Sequence, residues 1–519
     1  MAERSHDAVV VGSGVNGLAC AALLAKAGWD VCVLERNDWF GGAIKTAELT
    51  EPGFLHDVFS AWHPLWVGGP VHPQLEAELA RHGLRYVNTD LPTATAFPDG
   101  ESAFLLRTAE GNERELGPEW PGVLEAFFPT ADLAFGVLGV ELWSRQGVGL
   151  AWKTLRRLGR DRSRDFLGQL LVSARDWLET TFASPRAHGV LAPWVLHTGL
   201  GPDEAASGYM AQVIAVAVQE GGMPIPVGGG ARLADALVAY IREQGGTCEL
   251  GADVVRVSGG GVRTAAGETI AARRAVVCNV TPTQLYGPLL GGTPPPFRYG
   301  RSEMQIHFAL SEPPQWQGDE RLARTAIVHL TPGLDGVSRA VNEAQRGLLP
   351  AEATVVVGQP LTLDPSRAPA GKGLLWIQLQ ELPWHVKGDA AGELDVGDGA
   401  WTEELRERYA DRIQARIARH VPNLEGAILK RVCLSPADLQ AANVNFVRGD
   451  PYGGALQLDQ SFLWRAPHRT HVPGVWHVGA STHPGPGLGG GSGALVAAQL
   501  LRRSARRRTL APRRLRRVR

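Results

Sequence analysis

Residues 7–46 read DAVVVGSGVNGLACAALLAKAGWDVCVLERNDWFGGAIKT, and this stretch decides the fold. Asp7–Val11 is an apolar run that predicts a buried strand, and a glycine-rich turn follows it. Leu18–Lys26 carries alanine and leucine at helical intervals, which predicts a helix. Trp29–Leu34 predicts a second strand, which ends at Glu35. A strand, a glycine turn, a helix, a strand and an acid in this order are typical of a dinucleotide-binding unit.

The turn itself carries the spacing GxGxxG at Gly12, Gly14 and Gly17. The first glycine permits a tight turn, the second allows the backbone to approach a pyrophosphate, and the third lets helix and strand pack closely. The helix N terminus presents free N–H groups to the phosphates. Glu35 stands where a carboxylate accepts hydrogen bonds from ribose hydroxyls, which disfavours a 2′-phosphate. A glycine turn before an ordinary helix is the alternative, and it accounts for neither the second strand nor the acid.

The residues beyond Glu35 extend the pattern to ExxxxxGGxxxT, with Gly41, Gly42 and Thr46. Here the sequence resembles the flavoprotein family of amine oxidases and carotenoid desaturases, in which the second glycine pair lies along FAD. The resemblance therefore implies FAD rather than NAD as the cofactor. Amine oxidases usually carry arginine directly after the glycine pair, whereas this chain has Ala43, which favours the phytoene desaturase side of the family.

A second glycine-rich turn lies near the other end of the sequence. Val475–Val478 predicts a strand, and THPGPGLGGGSG follows it before a helix predicted from about Ala494. A helix N terminus there would face the flavin ring and stabilise the negative charge of reduced flavin. With Gly453–Gly454 and Asp459–Gln460 upstream, the motif GAxTHPGxG resembles the phytoene desaturase and carotenoid isomerase branch. The resemblance is greatest to the subgroup known as pyridine-nucleotide-disulfide-oxidoreductase-domain-like.

The resemblance implies an α/β fold with three parts. A Rossmann-type FAD-binding domain of the glutathione-reductase-like kind is joined by a substrate domain on a mixed or antiparallel sheet and by a helical insert. Alternating apolar residues predict the strands of the substrate domain, and a 3.6-residue period predicts the helices of the insert. The expected boundaries are 1–118, 221–300 and 441–501 for the FAD-binding domain, 119–220 for the helical cap insert and 301–440 for the substrate domain.

The resemblance also implies the residues that contact the cofactor, carried over position by position. Val254 is included because in the family the backbone of the corresponding strand contacts adenine. The implied cofactor-binding residues are Gly12, Ser13, Gly14, Val15, Asn16, Gly17, Glu35, Arg36, Gly41, Gly42, Ala43, Val254, Gly479, Ala480, Pro486, Gly487 and Leu488.

The sequence offers few candidates for a catalytic acid or base. His483 is a candidate catalytic residue because its motif would place it beside the flavin ring, and the alternative is that it fixes the turn. His63 and His197 are further candidates, although a lone histidine is more often structural. Asp459 and Gln460 are expected to shape the cavity without transferring protons.

The composition is that of an ordinary globular protein of two or three domains, with 519 residues, 44% hydrophobic and 20% charged. Five cysteines are scattered without CxxC or metal-ligand spacing, so neither a metal site nor a disulfide reductase is expected. Four of them stand in apolar strand or helix contexts, which predicts buried thiols. MAERSHD leads directly into the first strand, so no signal peptide is expected. No uncharged apolar run predicts a membrane span. We expect a cytoplasmic protein, either free or peripheral at the inner membrane surface.

Two basic stretches bear on possible partners. Residues 502–519 carry ten arginines and no acid, which predicts a disordered tail, with contact to an anionic membrane as the alternative. No recognised nucleic-acid module accompanies them, so nucleic-acid binding is not expected. The stretch from Lys153 to Arg164 in the insert predicts a solvated face, or a membrane-contacting edge that would suit a lipophilic substrate. The oligomeric state is left open.

The function implied by the resemblance is FAD-dependent dehydrogenation, or desaturation, of an apolar or conjugated small molecule. A hydride would leave carbon for flavin N5, a neighbouring proton would be lost and a double bond would form. Flavin-dependent isomerisation of a polyene, amine oxidation and a non-catalytic lipid carrier of the escort-protein type are the alternatives. No second GxGxxG unit follows a strand and opens a helix, so oxygen or a membrane quinone is the expected electron acceptor.

Overall fold

The computed structural model describes residues 4–510 of the chain. Two large sheets and a group of helices form its framework. The strands, in chain order, are β1 (Arg4–Val11), β2 (Val31–Leu34), β3 (Thr46–Glu48), β4 (Leu55–Asp57), β5 (Tyr86–Val87), β6 (Thr93–Ala96), β7 (Ser102–Leu105), β8 (Ile225–Pro226), β9 (Thr247–Glu249), β10 (Val254–Ser258), β11 (Gly261–Thr264), β12 (Thr269–Asn279), β13 (Ser302–Leu310), β14 (Ile327–Leu330), β15 (Leu348–Leu349), β16 (Val355–Gly358), β17 (Gly373–Leu382), β18 (Gly388–Asp389), β19 (Ile428–Leu434) and β20 (Val475–Val478).

The helices connect and cover these strands. In chain order they are α1 (Val15–Lys26), α2 (Pro64–Val67), α3 (His72–Arg81), α4 (Ala109–Leu116), α5 (Trp120–Leu138), α6 (Arg145–Gln169), α7 (Ala174–Thr181), α8 (Pro185–Leu191), α9 (Pro193–Leu196), α10 (Ser207–Gly221), α11 (Ala231–Glu243), α12 (Pro282–Gln284), α13 (Leu334–Gln345), α14 (Glu403–Ala418), α15 (Leu424–Ala427), α16 (Pro436–Ala442) and α17 (Gly491–Leu510).

The first sheet contains the strand that leads into the GxGxxG turn. Its order is β10–β11–β12–β1–β2–β9, and β20 pairs with the C-terminal part of β12. β1, β2, β9, β12 and β20 are parallel, so their carboxyl ends meet at one edge. Residues of α1, α11 and α17 form a core on one face, and residues of β10 and β11 pack on the other. Burial of both faces explains why these strands are continuous apolar runs.

The second sheet is mixed and mostly antiparallel, as the sequence predicted. Its order is β19–β13–β17–β16–β14–β6–β7, in which only the β14–β6 pair is parallel. One face packs under α14 in an apolar core that includes Phe308, Ile377 and Tyr409. The other face carries polar side chains at alternate positions of β13 and β17, yet every residue of β13 is buried. The alternation therefore separates two buried faces rather than a core and a solvent face.

Two strands of the second sheet come from a segment that the sequence analysis assigned to the FAD-binding domain. β6 and β7, within residues 93–105, lie beside β14 instead of in the first sheet. The assignment of this segment is corrected accordingly. The partner of β6 lies more than 200 residues further along the chain, and strand patterning alone does not identify a partner at that distance.

The helical insert forms a third core, which includes Trp120, Phe127, Trp177 and Trp194. Ser144 caps α6 by accepting hydrogen bonds from the first N–H groups of that helix. Among residues 4–510, α5 is the one helix that is long and apolar enough to cross a membrane by length and composition alone. The sequence analysis predicted no such span. The N-terminal half of α5 packs into the core of the insert, so this helix is at least partly a core helix.

The predicted disordered tail is partly helical. α17 continues to Leu510, and Val496, Ala497 and Leu500 are buried against the first sheet. Alanine, leucine and arginine are all good helix formers, so the sequence of 502–510 favours extension of the helix once its first turns are packed. The expectation of disorder is therefore wrong for residues 502–510, and residues 511–519 of the predicted tail lie outside the described residues.

Candidate active site

The GxGxxG turn lies at the carboxyl edge of the first sheet, beside the end of β12. Gly12 has φ of +89°, and a Cβ there would lie 2.8 Å from the carbonyl oxygen of Asn279. A Cβ at Gly14 would collide with Nδ2 of Asn279, and one at Gly17 would lie 2.5 Å from the carbonyl oxygen of Gly12. Only glycine permits this approach of β1, α1 and β12. The backbone here is therefore bare where the N terminus of α1 begins.

Glu35 is buried at the end of β2 and holds the turn in place. Its Oε2 accepts hydrogen bonds from the backbone N–H of Ser13 at 2.9 Å and from the Ser13 hydroxyl at 2.7 Å. Its Oε1 accepts the N–H of Asn37 at 2.9 Å. A carboxylate has about four acceptor positions, so Glu35 retains capacity for a ribose hydroxyl.

The two glycine-rich ends of the sequence meet at this edge. β20 runs parallel to β12, which places Gly479 next to Asn279 and close to the first turn. α17 packs directly on α1, because a Cβ at Gly493 would collide with the carbonyl oxygen of Asn16. The N-terminal residues of both helices border one cavity. Two helix N termini and a set of side-chain-free turns fit the phosphates and the ring system of a flavin dinucleotide.

A cavity of about 1200 Å³ joins these turns to the second sheet. Pockets for one small ligand usually have about 300–1,000 Å³, so this one has room for a cofactor and a substrate. Ser13 and Gly17 support the wall from behind and are not part of it. The implied cofactor residues on the wall are Gly12, Gly14, Val15, Asn16, Glu35, Arg36, Gly41, Gly42, Ala43, Val254, Gly479, Ala480, Pro486, Gly487 and Leu488.

The opposite wall comes from the second sheet and the insert. Trp62 packs edge-on against Trp376, with ring centroids 5.2 Å apart, and both rings line the cavity. Most other side chains here are apolar, and they include Trp194, Leu200, Met210, Val213, Ile214 and Ile327. Such a wall suits a lipophilic ligand and excludes water. Trp66, by contrast, lies in the core under α1.

His483 does not line the cavity. Its Nε2–H donates to the carbonyl oxygen of Val137, at 2.8 Å, and burial lowers the pKa of the imidazole. The ring thus attaches the second turn to α5, which is the alternative that the sequence left open. Because His483 lies outside the lining of the cavity, we assign it a structural role instead of a catalytic one.

The other two histidine candidates are neutral, with His63 fully buried and His197 partly buried. His197 lines the cavity, its Nε2 lies 3.2 Å from Nε2 of His329, and burial lowers its pKa to about 4. His63 lies behind the wall, where its Nδ1 contacts the Tyr86 hydroxyl at 3.1 Å. Burial lowers the pKa of His63 to about 4 as well. Both imidazoles are therefore weak bases near neutral pH.

Asp459 and Gln460 lie away from the cavity, contrary to expectation. Asp459 forms a two-point ion pair with Arg298 on the surface, with distances of 2.7 and 2.6 Å. Gln460 accepts a hydrogen bond from the backbone N–H of Arg298 and donates to its carbonyl oxygen. These residues hold a surface loop rather than shape the cavity.

Sequence reasoning missed several polar residues of the cavity wall, among them Glu303, Gln305, Gln378 and Tyr452. Glu303 accepts a hydrogen bond from Nε2 of Gln378 at 2.7 Å, and burial raises its pKa to about 8. The sequence did carry a signal, because polar and apolar residues alternate in SEMQIHFAL and LLWIQLQEL. A strand with apolar surroundings on both faces would have no such polar positions. Within residues 4–510 no group of three or more His, Cys, Asp or Glu side chains could hold a metal ion.

Comparison with known proteins gives consistent results. The family model of flavin containing amine oxidoreductases matches residues 16–488. Pyridine nucleotide-disulfide oxidoreductase domain-containing protein 2 of Rattus norvegicus is 25% identical over 94% of this chain and 92% of that protein. The lycopene-forming phytoene desaturase of Paracoccus sp. is 27% identical over 94% and 95%. Among solved structures, cyclohexylamine oxidase of Brevibacterium oxydans has a TM-score of 0.57 at 16% identity, covering 96% and 99% of the two chains.

Proposed function

The chain belongs to the family of flavin-containing amine oxidoreductases and is an FAD-dependent oxidoreductase, and on this basis we propose that it dehydrogenates a lipophilic small molecule. The observation that carries the proposal is one continuous cavity, which has glycine turns at one end and a largely apolar wall at the other. The phytoene desaturases among its relatives support desaturation as the outcome.

Residues at one end of the cavity would bind the cofactor, and residues at the other end would bind the substrate. We propose that the N termini of α1 and α17 hold the cofactor phosphates and ring, while Glu35 binds ribose. Bound FAD would supply the chemistry by accepting a hydride from substrate carbon. Trp62, Trp194 and Trp376 would bury the substrate and keep water away from the reacting atoms.

Anaerobic reduction of the purified, FAD-loaded protein tests this proposal. Polyenes, other lipophiles and amines are added separately, and the visible flavin absorption band is followed while products are analysed for a new double bond. We expect bleaching with lipophiles and none with amines. Bleaching by amines, with hydrogen peroxide formed after air is admitted, would favour amine oxidation. Geometric isomerisation without net bleaching would favour an isomerase, and protein that takes up no FAD would favour a carrier.

A second proposal concerns the route of the substrate, and it rests on the surface of the insert. Large apolar side chains on α5, α6 and their connections are exposed to solvent, and they are Phe128, Phe135, Leu138, Trp143, Val148, Trp152, Leu155, Leu167 and Leu171. Phe135 and Leu138 also line the cavity, so this surface is continuous with its mouth. On α6, exposed basic residues between Lys153 and Arg164 alternate with these exposed apolar side chains. We propose that it docks on an anionic membrane, at the inner surface, to admit lipophilic substrate.

Vesicle flotation tests the membrane proposal. The wild-type protein is expected to float with vesicles of phosphatidylcholine and phosphatidylglycerol and to remain below vesicles of phosphatidylcholine alone. The double variant Trp143→Ser, Trp152→Ser should bind about tenfold more weakly, because two interfacial aromatic anchors are lost. Trp384→Ser is the matched control, since Trp384 is also partly exposed but lies outside the insert. Equal flotation of wild type and the double variant would contradict the proposal.

A further inference from the structure

Two cationic side chains hold the second glycine turn from the segment 465–468, which forms a parallel bridge with it. Nη2 of Arg465 donates a hydrogen bond to the carbonyl oxygen of Ala480 at 2.7 Å. Nε2 of His468 donates to the carbonyl oxygen of His483 at 2.8 Å. The two residues are buried, at 6% and 1% exposed. The sequence motifs indicated neither of them, yet both contact the turn that we place beside the flavin ring.

The charge of His468 is balanced by an acid of the helical insert. Its Nδ1 lies 2.5 Å from Oε2 of Glu141, and this hydrogen bond lowers the pKa of the Glu141 carboxyl group. Carbonyl and carboxylate oxygens only accept hydrogen bonds, so both ring nitrogens of His468 donate and the ring is protonated. The imidazolium and the carboxylate form a neutral pair. His468 therefore adds little net charge beside the turn.

The charge of Arg465 has no such partner. In the described part of the chain, its guanidinium donates only to backbone carbonyl oxygens, those of residues 452–455 and Ala480. These groups are neutral, and burial lowers the pKa of Arg465 only to about 10, so the side chain stays charged near neutral pH. Arginine is rarely buried without a carboxylate in contact, because desolvation of its charge is unfavourable. A charge that the fold keeps in this way indicates a use at the neighbouring site.

Asp450 is the acid that acts on Arg465 through space, and its position leaves the positive charge toward the cavity. Asp450 is fully buried and lies outside the cavity lining, whereas Arg465 is part of that lining. The Asp450 carboxyl group accepts hydrogen bonds from three backbone N–H groups instead of forming an ion pair with Arg465. Tyr299 and His477 also lie near Arg465, and burial lowers the pKa of His477 to about 4, which keeps it neutral. The cofactor end of the cavity thus faces a positive charge at Arg465.

We propose that the buried charge of Arg465 stabilises the anionic reduced form of the bound flavin and so raises its reduction potential. Reduced flavin carries negative charge on its ring, and a fixed cation acts strongly where an apolar cavity excludes water. The N terminus of α17 supports the same anion, but a helix terminus contributes only about half a charge. The inference rests on the proposed placement of the ring at the second turn, and it gives Arg465 a role in favouring hydride transfer.

Substitution of Arg465 tests the inference without any substrate. The midpoint potential of FAD in the purified protein is measured by equilibration with reference dyes during slow reduction. In Arg465→Met, the ratio of reduced to oxidised flavin at a fixed potential should fall about tenfold, which corresponds to a shift of about 30 mV toward negative values. Arg465→Lys retains the charge and should keep most of the wild-type potential. Arg416→Met is the matched control and should not change the potential, because Arg416 also donates to backbone carbonyl oxygens but lies outside the cavity lining.

The pH dependence of the potential separates the effect of the charge from a purely structural role. The potential falls by about 60 mV per pH unit where two protons accompany the two electrons and by about 30 mV where only one does. In the wild type, the pH at which the slope changes should lie about one unit below that of free FAD, and Arg465→Met should move it back. This comparison with free FAD decides the case even where Arg465→Met retains no cofactor.

Three results would overturn the inference. They are a lower FAD content in Arg465→Met with unchanged potential and slope, a potential of Arg465→Lys as low as that of Arg465→Met, and a wild-type slope change at or above the pH found for free FAD. Failure of lipophiles to bleach the flavin would contradict dehydrogenation and leave these measurements unaffected, so the two proposals can fail separately.

Discussion

Asn279 lies against glycines from both ends of the chain. An ideal Cβ at Gly12 would lie 2.8 Å from its carbonyl oxygen and one at Gly479 would lie 3.0 Å from its Oδ1. A Cβ at Gly14 would point at its Nδ2. These glycines are therefore required by contacts within the protein, in addition to the approach of phosphate that the fingerprint explains.

Gly14→Ala is expected to reduce the FAD content of purified protein severalfold, because the new methyl group displaces Asn279 and moves the turn. Adding Asn279→Ala should restore FAD content, since the three atoms nearest to the new Cβ belong to the Asn279 side chain. FAD is measured after its release by heat. Gly260→Ala is the control, because a Cβ there meets nothing within 4 Å. A double variant that remains as poor in FAD as Gly14→Ala would show that the methyl group obstructs the cofactor itself.

At the scale of elements, one buried arginine joins the segment before β17 to β4 and β8. Arg367, in a 3-10 turn before β17, contacts Asp57 at the end of β4 and lies 3.1 Å from Asp364. It also donates to the carbonyl oxygen of Pro226 at 2.7 Å. Asp57 accepts the N–H of Gly230 at 2.7 Å, so the network reaches the turn before α11. All three charged side chains are buried, which makes each dependent on its partners.

Arg367→Met should lower the free energy of unfolding by about 3–5 kcal/mol, because it leaves Asp57 and Asp364 charged and buried. Urea unfolding followed by circular dichroism measures the loss. Arg298→Met is the matched control, since its pair with Asp459 is more than half exposed and contributes little to stability. Equal stability of the two variants would mean that the buried network does not stabilise the fold.

At the scale of the molecule, buried titratable groups predict an optimum of stability near pH 6.5. Burial lowers the pKa values of several histidines to about 4, namely His63, His197, His307 and His477. The unfolded chain binds protons at their ordinary pKa of 6.5, so stability is lost as the pH falls below that value. Burial raises the pKa of Glu303 to about 8 and of Glu381 to about 7. For these groups the folded state binds more protons above pH 4.5, so stability is lost as the pH rises.

Below pH 6.5 the four histidines outweigh the two carboxyl groups, and above it only the carboxyl groups act. The thermal midpoint of FAD-loaded protein should therefore fall on both sides of about pH 6.5, with each group contributing up to about 1.4 kcal/mol per pH unit. Scanning fluorimetry between about pH 5 and 8.5 measures it. Glu303→Gln should reduce the decline above pH 6.5 and make the fall below pH 6.5 steeper, because it removes a group that offsets the histidines above pH 4.5. A midpoint that rises steadily to pH 8 would contradict the account.

The sequence predicted local features well because their physics is local. Gly12 and Gly479 have φ of +89° and +124°, which the turn in which each occurs requires, and the motif around each can be recognised without the rest of the chain. The direction of the His483 ring depends on α5, more than 340 residues earlier, and so the motif did not reveal that it faces Val137. The polar face of β13 was visible as a pattern, but its burial against a cavity depends on the insert and on the first domain.

The contact of Gly493 with Asn16 has a consequence for how the protein is made. The two residues are 477 positions apart, so the cofactor end of the cavity is incomplete on a ribosome until α17 has left the exit tunnel. We expect the nascent first sheet to wait without cofactor through most of translation, with β20 still missing beside β12. Flavin supply can then matter only after synthesis of this chain is almost finished, and a shortage would leave a loosely closed apoprotein for proteases to degrade.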